Sequence, residues 1–144
     1  MTDSGTSSTS SPGADLIREF LPVSPYVQHL GMELIEIDGG RAKVRLPYRD
    51  VVTTVGDTVH GGALASLVDT AATAAAWGGA EIPDNMRGTT VGLSISYLGA
   101  ARAEDTIAEA VVLRAGRNLC YVDVDVRSSS GKAVAKALVT YKLG

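Results

Sequence analysis

The chain has 144 residues, 45% apolar and 20% charged, enough for one domain with a substantial core. Its net charge of −3 and pI near 5.3 argue against nucleic acid or an anionic membrane as the main partner. One cysteine, Cys120, excludes an internal disulfide framework and fits a reducing cytoplasm, and with two histidines beside it, His29 and His60, a metal site is not expected.

Residues 1–13 are rich in Ser and Thr, carry no Lys or Arg and offer nothing apolar to bury. They read as a disordered tail rather than a signal peptide, and the folded domain is expected over 14–144. Residues 15–21 read as a short amphipathic helix. Ser24-Pro25 resembles an N-cap followed by Pro, and Gly31 is a stop, which predicts a second helix over 25–30. A strand over 32–37, a turn at Asp38-Gly39-Gly40 and a strand with one wet face from Arg41 to Leu46 form a hairpin. A loop over 47–58 leads to an apolar helix that reaches Trp77 and ends at Gly78-Gly79. That run is Ala-rich and interrupted by Asp69, so it is a poor membrane span. Four strands follow, over 89–97, 105–114, 119–127 and 132–141. In the third, Cys120, Val122, Val124 and Val126 alternate with Tyr121, Asp123, Asp125 and Arg127. Consecutive strands joined by tight turns imply an antiparallel sheet. The class is α+β: one long helix lying in the concave face of a curved sheet of about six strands. Small side chains such as Ala71, Ala72, Ala74 and Ala75 let the sheet approach closely.

Asp69 is the single charge between His60 and Glu81. A helix apolar on every side is normally buried, and a buried carboxylate is poorly solvated and more basic. A solvent-facing Asp would have polar neighbours one turn away; here these are Ala65, Ser66, Ala72 and Thr73. The helix opens with His60-Gly61-Gly62, and the paired glycines leave backbone N–H donors bare at its N-terminus. A basic carboxylate and an anion-stabilising terminus together suggest attack on a carbonyl.

The order strand–strand–His-Gly-Gly-Ala-Leu-Ala-Ser-Leu-Val-Asp helix–four strands resembles the hotdog-fold acyl-CoA thioesterases of the PaaI type. Further matches are Thr89-Thr90-Val91 through Ser96-Tyr97-Leu98, Arg114-Ala115-Gly116-Arg117 and Gly131-Lys132-Ala133-Val134-Ala135. The resemblance covers nearly all of residues 24–143. It implies that the Gly61 N–H binds the oxyanion, that Asp69 is the catalytic carboxylate, that Thr73 holds the attacking water, and that Thr90 lies near the site. His60 reads as a structural residue at the helix start, and we place His60, Gly62, Thr54 and Thr90 on the substrate side. Two departures from the family pattern precede the helix: Thr54 stands where an Asn is usual and Asp57 where a Gly is usual. Either the loop differs in shape, or activation relies less on that contact.

Gly61 and Asp69 are eight residues apart, roughly 12 Å along a helix. One thioester carbonyl cannot reach both in a single chain. Two antiparallel helices solve this, so the spacing predicts a homodimer with composite sites; the family commonly pairs dimers into tetramers. Asp69 then activates water or attacks directly, releasing an acid and free CoA, with no cofactor beyond the CoA of the substrate. Arg102, Arg114 and Arg117 are candidates for the CoA phosphates, Arg117 first because it sits in a turn. Tyr97 and Trp77 read as core. The competing readings are a non-catalytic acyl-CoA sensor, which would lack the carboxylate, and a hotdog dehydratase, which would need an acid/base pair the sequence does not offer.

Overall fold

The computed structural model describes residues 10–82 and 84–144. In chain order these form α1 (Pro12–Phe20), a 3₁₀ turn (Leu21–Val23), α2 (Pro25–Leu30), β1 (Glu33–Asp38), β2 (Arg41–Leu46), a second 3₁₀ turn (Asp50–Val52), α3 (Gly61–Gly78), β3 (Gly88–Tyr97), β4 (Thr106–Ala115), β5 (Leu119–Ser128) and β6 (Ala133–Leu143). The six strands make one antiparallel sheet in the order β1-β2-β4-β5-β6-β3. The sheet wraps α3, and this is the hotdog fold. Among the described residues, no helix is long and apolar enough to cross a membrane.

Local chemistry sets the boundaries. Gly31 closes α2 at φ 75°, and Gly39 and Gly40 take φ 53° and 85° in the turn between β1 and β2; L side chains resist such values. The expected alternation of β5 holds, with Cys120, Val122, Val124 and Val126 all in the core. Leu67, Val68, Ala71, Ala72, Ala74 and Ala75 of α3 have no exposed surface. Truncating Leu67 to Ala in such packing costs about 2–5 kcal/mol.

Two expectations need correction. The first helix begins at Pro12, so residues 11–13 belong to the fold rather than to a tail; residues 1–9 lie outside the described part. Ser11 caps α1, accepting from Ala14 N–H at 3.0 Å, and its hydroxyl donates to Gly78 O at 2.6 Å. Gly13 is buried, and its N–H donates to Ala80 O at 3.2 Å. The start of α1 is thus fastened to the end of α3, a docking that composition cannot reveal because the contacts are long-range. Second, α3 is not covered all round. Ala65, Ser66, Asp69, Thr70 and Thr73 are half-buried, and at 100° per residue they fall, with Gly61 and Gly62, within about half the circumference. Small residues there made the whole helix look buried.

Candidate active site

The open face of α3 begins at a built terminus. His60 is the N-cap residue in extended conformation, and its Nδ1 accepts from Gly62 N–H at 2.7 Å. The other ring nitrogen then carries the hydrogen. A Cβ on Gly62 would lie 2.9 Å from that imidazole nitrogen, so glycine is what lets the ring fold back over the backbone. Ala63 and Leu64 donate to His60 O at 2.9 and 3.1 Å. Gly61 N–H is the first-turn donor with no acceptor among the described residues, and it carries the positive end of the helix dipole.

Asp69 projects from the same face two turns further on. Its Oδ1 accepts a 2.6 Å hydrogen bond from the Thr90 hydroxyl on β3. A bulge in β3 makes this contact. Leu93, Ile95 and Tyr97 stand opposite Val139, Ala137 and Ala135 of β6, and those three β6 residues are buried in the core. Gly92, Ser94 and Ser96 face outward. By plain alternation Thr90 would face outward too, but the register shifts between Thr90 and Gly92 and sets it opposite the buried Tyr141. Thr73 lies one turn beyond Asp69 on the same face and makes no bond to it among the described hydrogen bonds.

Near Gly61, a groove of about 390 Å³ is lined by Thr54, Thr58, Gly61, Leu64 and Tyr97. Thr54 is exposed there, its N–H donating to Thr58 O at 2.9 Å. Sequence reasoning missed Tyr97: it is not core but 51% exposed, and its hydroxyl donates to Gly61 O at 2.9 Å. It also missed Tyr26 of α2, whose hydroxyl meets Ser66 Oγ at 2.8 Å. The alternation of β3 was a usable signal for Tyr97, since Leu93, Ile95 and Tyr97 repeat at period two.

Arg117 is not brought to this site. It lines a separate cavity of about 450 Å³ beside Gly79, Ala80 and Glu81, at the far end of an 18-residue helix, roughly 27 Å from Gly61 along the axis. Arg102 lies near the groove but is paired with Asp57 at 3.5 Å. Trp77 is core as expected, its indole N–H donating to Tyr141 Oη at 2.9 Å. Burial pushes the Tyr141 hydroxyl up, the Asp69 charge adds to this, and the Trp77 bond opposes it. Burial likewise pushes the Cys120 thiol up, which keeps it an inert core group. Among the described residues, no three His, Cys, Asp or Glu side chains are grouped to hold a metal ion.

A bare N–H at a helix start is suited to stabilising an oxyanion, and a carboxylate to acting as base or nucleophile, two tasks that arise in acyl hydrolysis. The chain matches the family model of the thioesterase superfamily over residues 56–135. It is 31% identical over 126 residues to a provisionally named esterase of Halobacterium salinarum, covering 85% of this chain and 83% of that one. Human acyl-coenzyme A thioesterase 13 is 29% identical over 113 residues, covering 77% of this chain and 79% of that one. The E. coli PaaI protein from the phenylacetic acid degradation operon superimposes with a TM-score of 0.81 at 22% identity, over 94% of this chain and 96% of that one; that likeness concerns the fold. The chain belongs to the thioesterase superfamily. Its class of chemistry is thioester hydrolysis.

Proposed function

We propose that the protein hydrolyses an acyl-CoA thioester to a carboxylic acid and CoA, at sites shared between two subunits, in the cytoplasm. The observation that carries the reading is the open face of α3, with the free Gly61 N–H at its start and Asp69, held by Thr90, two turns on. Gly61 N–H polarises the thioester carbonyl and stabilises the oxyanion. Asp69 of the partner chain activates water, oriented by Thr73, or attacks the carbonyl itself. The named activity of the human relative supports CoA as the thiol.

Two features support the shared site. Gly61 and Asp69 are too far apart in one chain for one carbonyl. And β3 is an edge strand, exposing Val91, Leu93 and Tyr97, with the exposed Leu98 just beyond its end, an edge that pairing with a second copy would protect. The assembly is a homodimer, further paired as a tetramer. Arg117 remains a candidate for the CoA phosphates. Its cavity adjoins Gly79, ten residues beyond Asp69 and roughly 15 Å along α3, so the nucleotide would reach an Arg117 from the Asp69 side of the shared site. Retention of Asp69 speaks against a non-catalytic acyl-CoA sensor.

The test is turnover of purified protein on a panel of acyl-CoA thioesters, followed by released thiol. Asp69→Asn should keep its fold and lose about 10²- to 10⁴-fold in kcat, because an amide is neither base nor nucleophile. Wild-type kcat in the folded variant would refute the assignment.

A further inference from the structure

The two glycines that open α3 create a problem the surrounding side chains solve. An oxyanion donor works by being fixed in place before the charge develops. Gly-Gly is the worst sequence for that, because each residue has the widest backbone freedom, and a helix start lacks the ladder bonds that hold the interior.

The peptide linking Gly61 to Gly62 is bonded at both ends by side chains. Its oxygen accepts from the Tyr97 hydroxyl at 2.9 Å, and its N–H donates to His60 Nδ1 at 2.7 Å. The Tyr97 ring also lies against Gly61, since a Cβ there would be 3.4 Å from the ring. The next peptide, Gly62 to Ala63, is treated alike. Its oxygen accepts from Ser66 Oγ at 2.9 Å, its N–H donates to His60 O at 2.9 Å, and Ser66 is in turn bonded to Tyr26 at 2.8 Å. Tyr97 comes from β3, Tyr26 from α2. They reach the first turn from two different elements, one acting directly and one through Ser66.

We propose that Tyr97 and Tyr26 are positioning residues that clamp the two peptides following Gly61 and so fix the direction of the Gly61 N–H, which lies in the preceding peptide, whose oxygen (His60 O) is held in turn by Ala63 and Leu64 N–H. This rests on Gly61 being the oxyanion donor. Both tyrosines are more than half exposed. Neither hydroxyl is required by the core, yet that of Tyr97 is spent on the Gly61 carbonyl and that of Tyr26 on Ser66, which holds the Gly62 carbonyl.

The experiment compares Tyr97→Phe, Tyr26→Phe and the double variant in the intact protein. It measures kcat and KM on an acyl-CoA, and amide hydrogen exchange at Gly61 and Gly62 by NMR. Phe keeps ring, packing and fold. Tyr97→Phe should lower kcat about 3- to 10-fold with KM within about twofold, because the donor acts on the transition state. Exchange at Gly62, whose N–H is bonded to His60 Nδ1, should quicken by a similar factor, while Gly61, whose N–H is bare already, serves as the internal reference. Tyr26→Phe should do the same more weakly, and the double variant should lose more than either. Unchanged kcat in Tyr97→Phe overturns the proposal. So does a fall in kcat without faster exchange, or a rise in KM that matches it, since Tyr97 would then be touching substrate. If the wild-type protein hydrolyses no acyl-CoA, the proposed function fails, while exchange in Tyr97→Phe still decides whether the clamp exists.

Discussion

The Thr90 hydroxyl donates to Asp69 Oδ1 at 2.6 Å, and that bond holds one carboxylate oxygen in place. A hydrogen bond to a charged group is worth about 1.5–3 kcal/mol. It fixes the rotamer of Asp69 and leaves the second oxygen free for chemistry. Thr90→Val keeps the shape of the side chain and its preference for a strand. We expect kcat to fall about tenfold, the equivalent of about 1.4 kcal/mol, with little change in melting temperature. Thr90→Ser should recover most of the loss. Equal rates in Thr90→Val and wild type would show that Asp69 needs no holding.

At the scale of the element, the first turn of α1 is a fastening. Gly13 sits against the last turn of α3, and a Cβ there would lie 1.9 Å from Trp77 O and 2.8 Å from Ala80 O. Both obstacles are backbone, so neither can swing aside. Gly13→Ala should cost about 1–3 kcal/mol, as forced overpacking does, and should lower the denaturant midpoint with m unchanged. The sequence suggests that everything up to Gly13 is dispensable. The structure reverses this for residues 11–13: a truncation that removes them loses the Ser11 cap, itself worth about 1 kcal/mol, and the bonds to Gly78 and Ala80. A Gly13→Ala protein as stable as wild type would mean that α1 docks elsewhere in solution.

At the scale of the whole molecule the question is whether one chain suffices. Gly61→Pro removes the N–H proposed to bind the oxyanion while suiting the backbone, because Pro is favoured at the first helical position. His60 before it is already extended, at φ −65° and ψ 134°, as a residue preceding Pro must be. Asp69→Asn removes the carboxylate. Each variant alone should be dead. Refolded together in equal amounts, half the dimers should be mixed, each with one intact site, restoring about a quarter of wild-type activity in a two-fold assembly. No recovery, with mixed dimers demonstrated by mass, would show that Gly61 and Asp69 work within one chain.

The sequence by itself determined the element order, the antiparallel sheet and the helix that carries Asp69. Those follow from local rules: period-two alternation in β5, Gly39-Gly40 in the turn, Gly31 at the end of α2, and an Ala-rich run opened by His60-Gly61-Gly62. The Gly61–Asp69 separation was equally legible, because a helix has a fixed rise per residue. Tertiary structure alone decided which groups meet. Strict alternation turns Thr90 away from α3, and the β3 bulge turns it back. Tyr97 and Tyr26 stand 36 and 40 residues from the groups they bind, and Ser11 is 67 from Gly78. The open face of α3 is likewise invisible in a run of alanines, since hydropathy reports which side chains tolerate burial, and only packing decides which of them receive it.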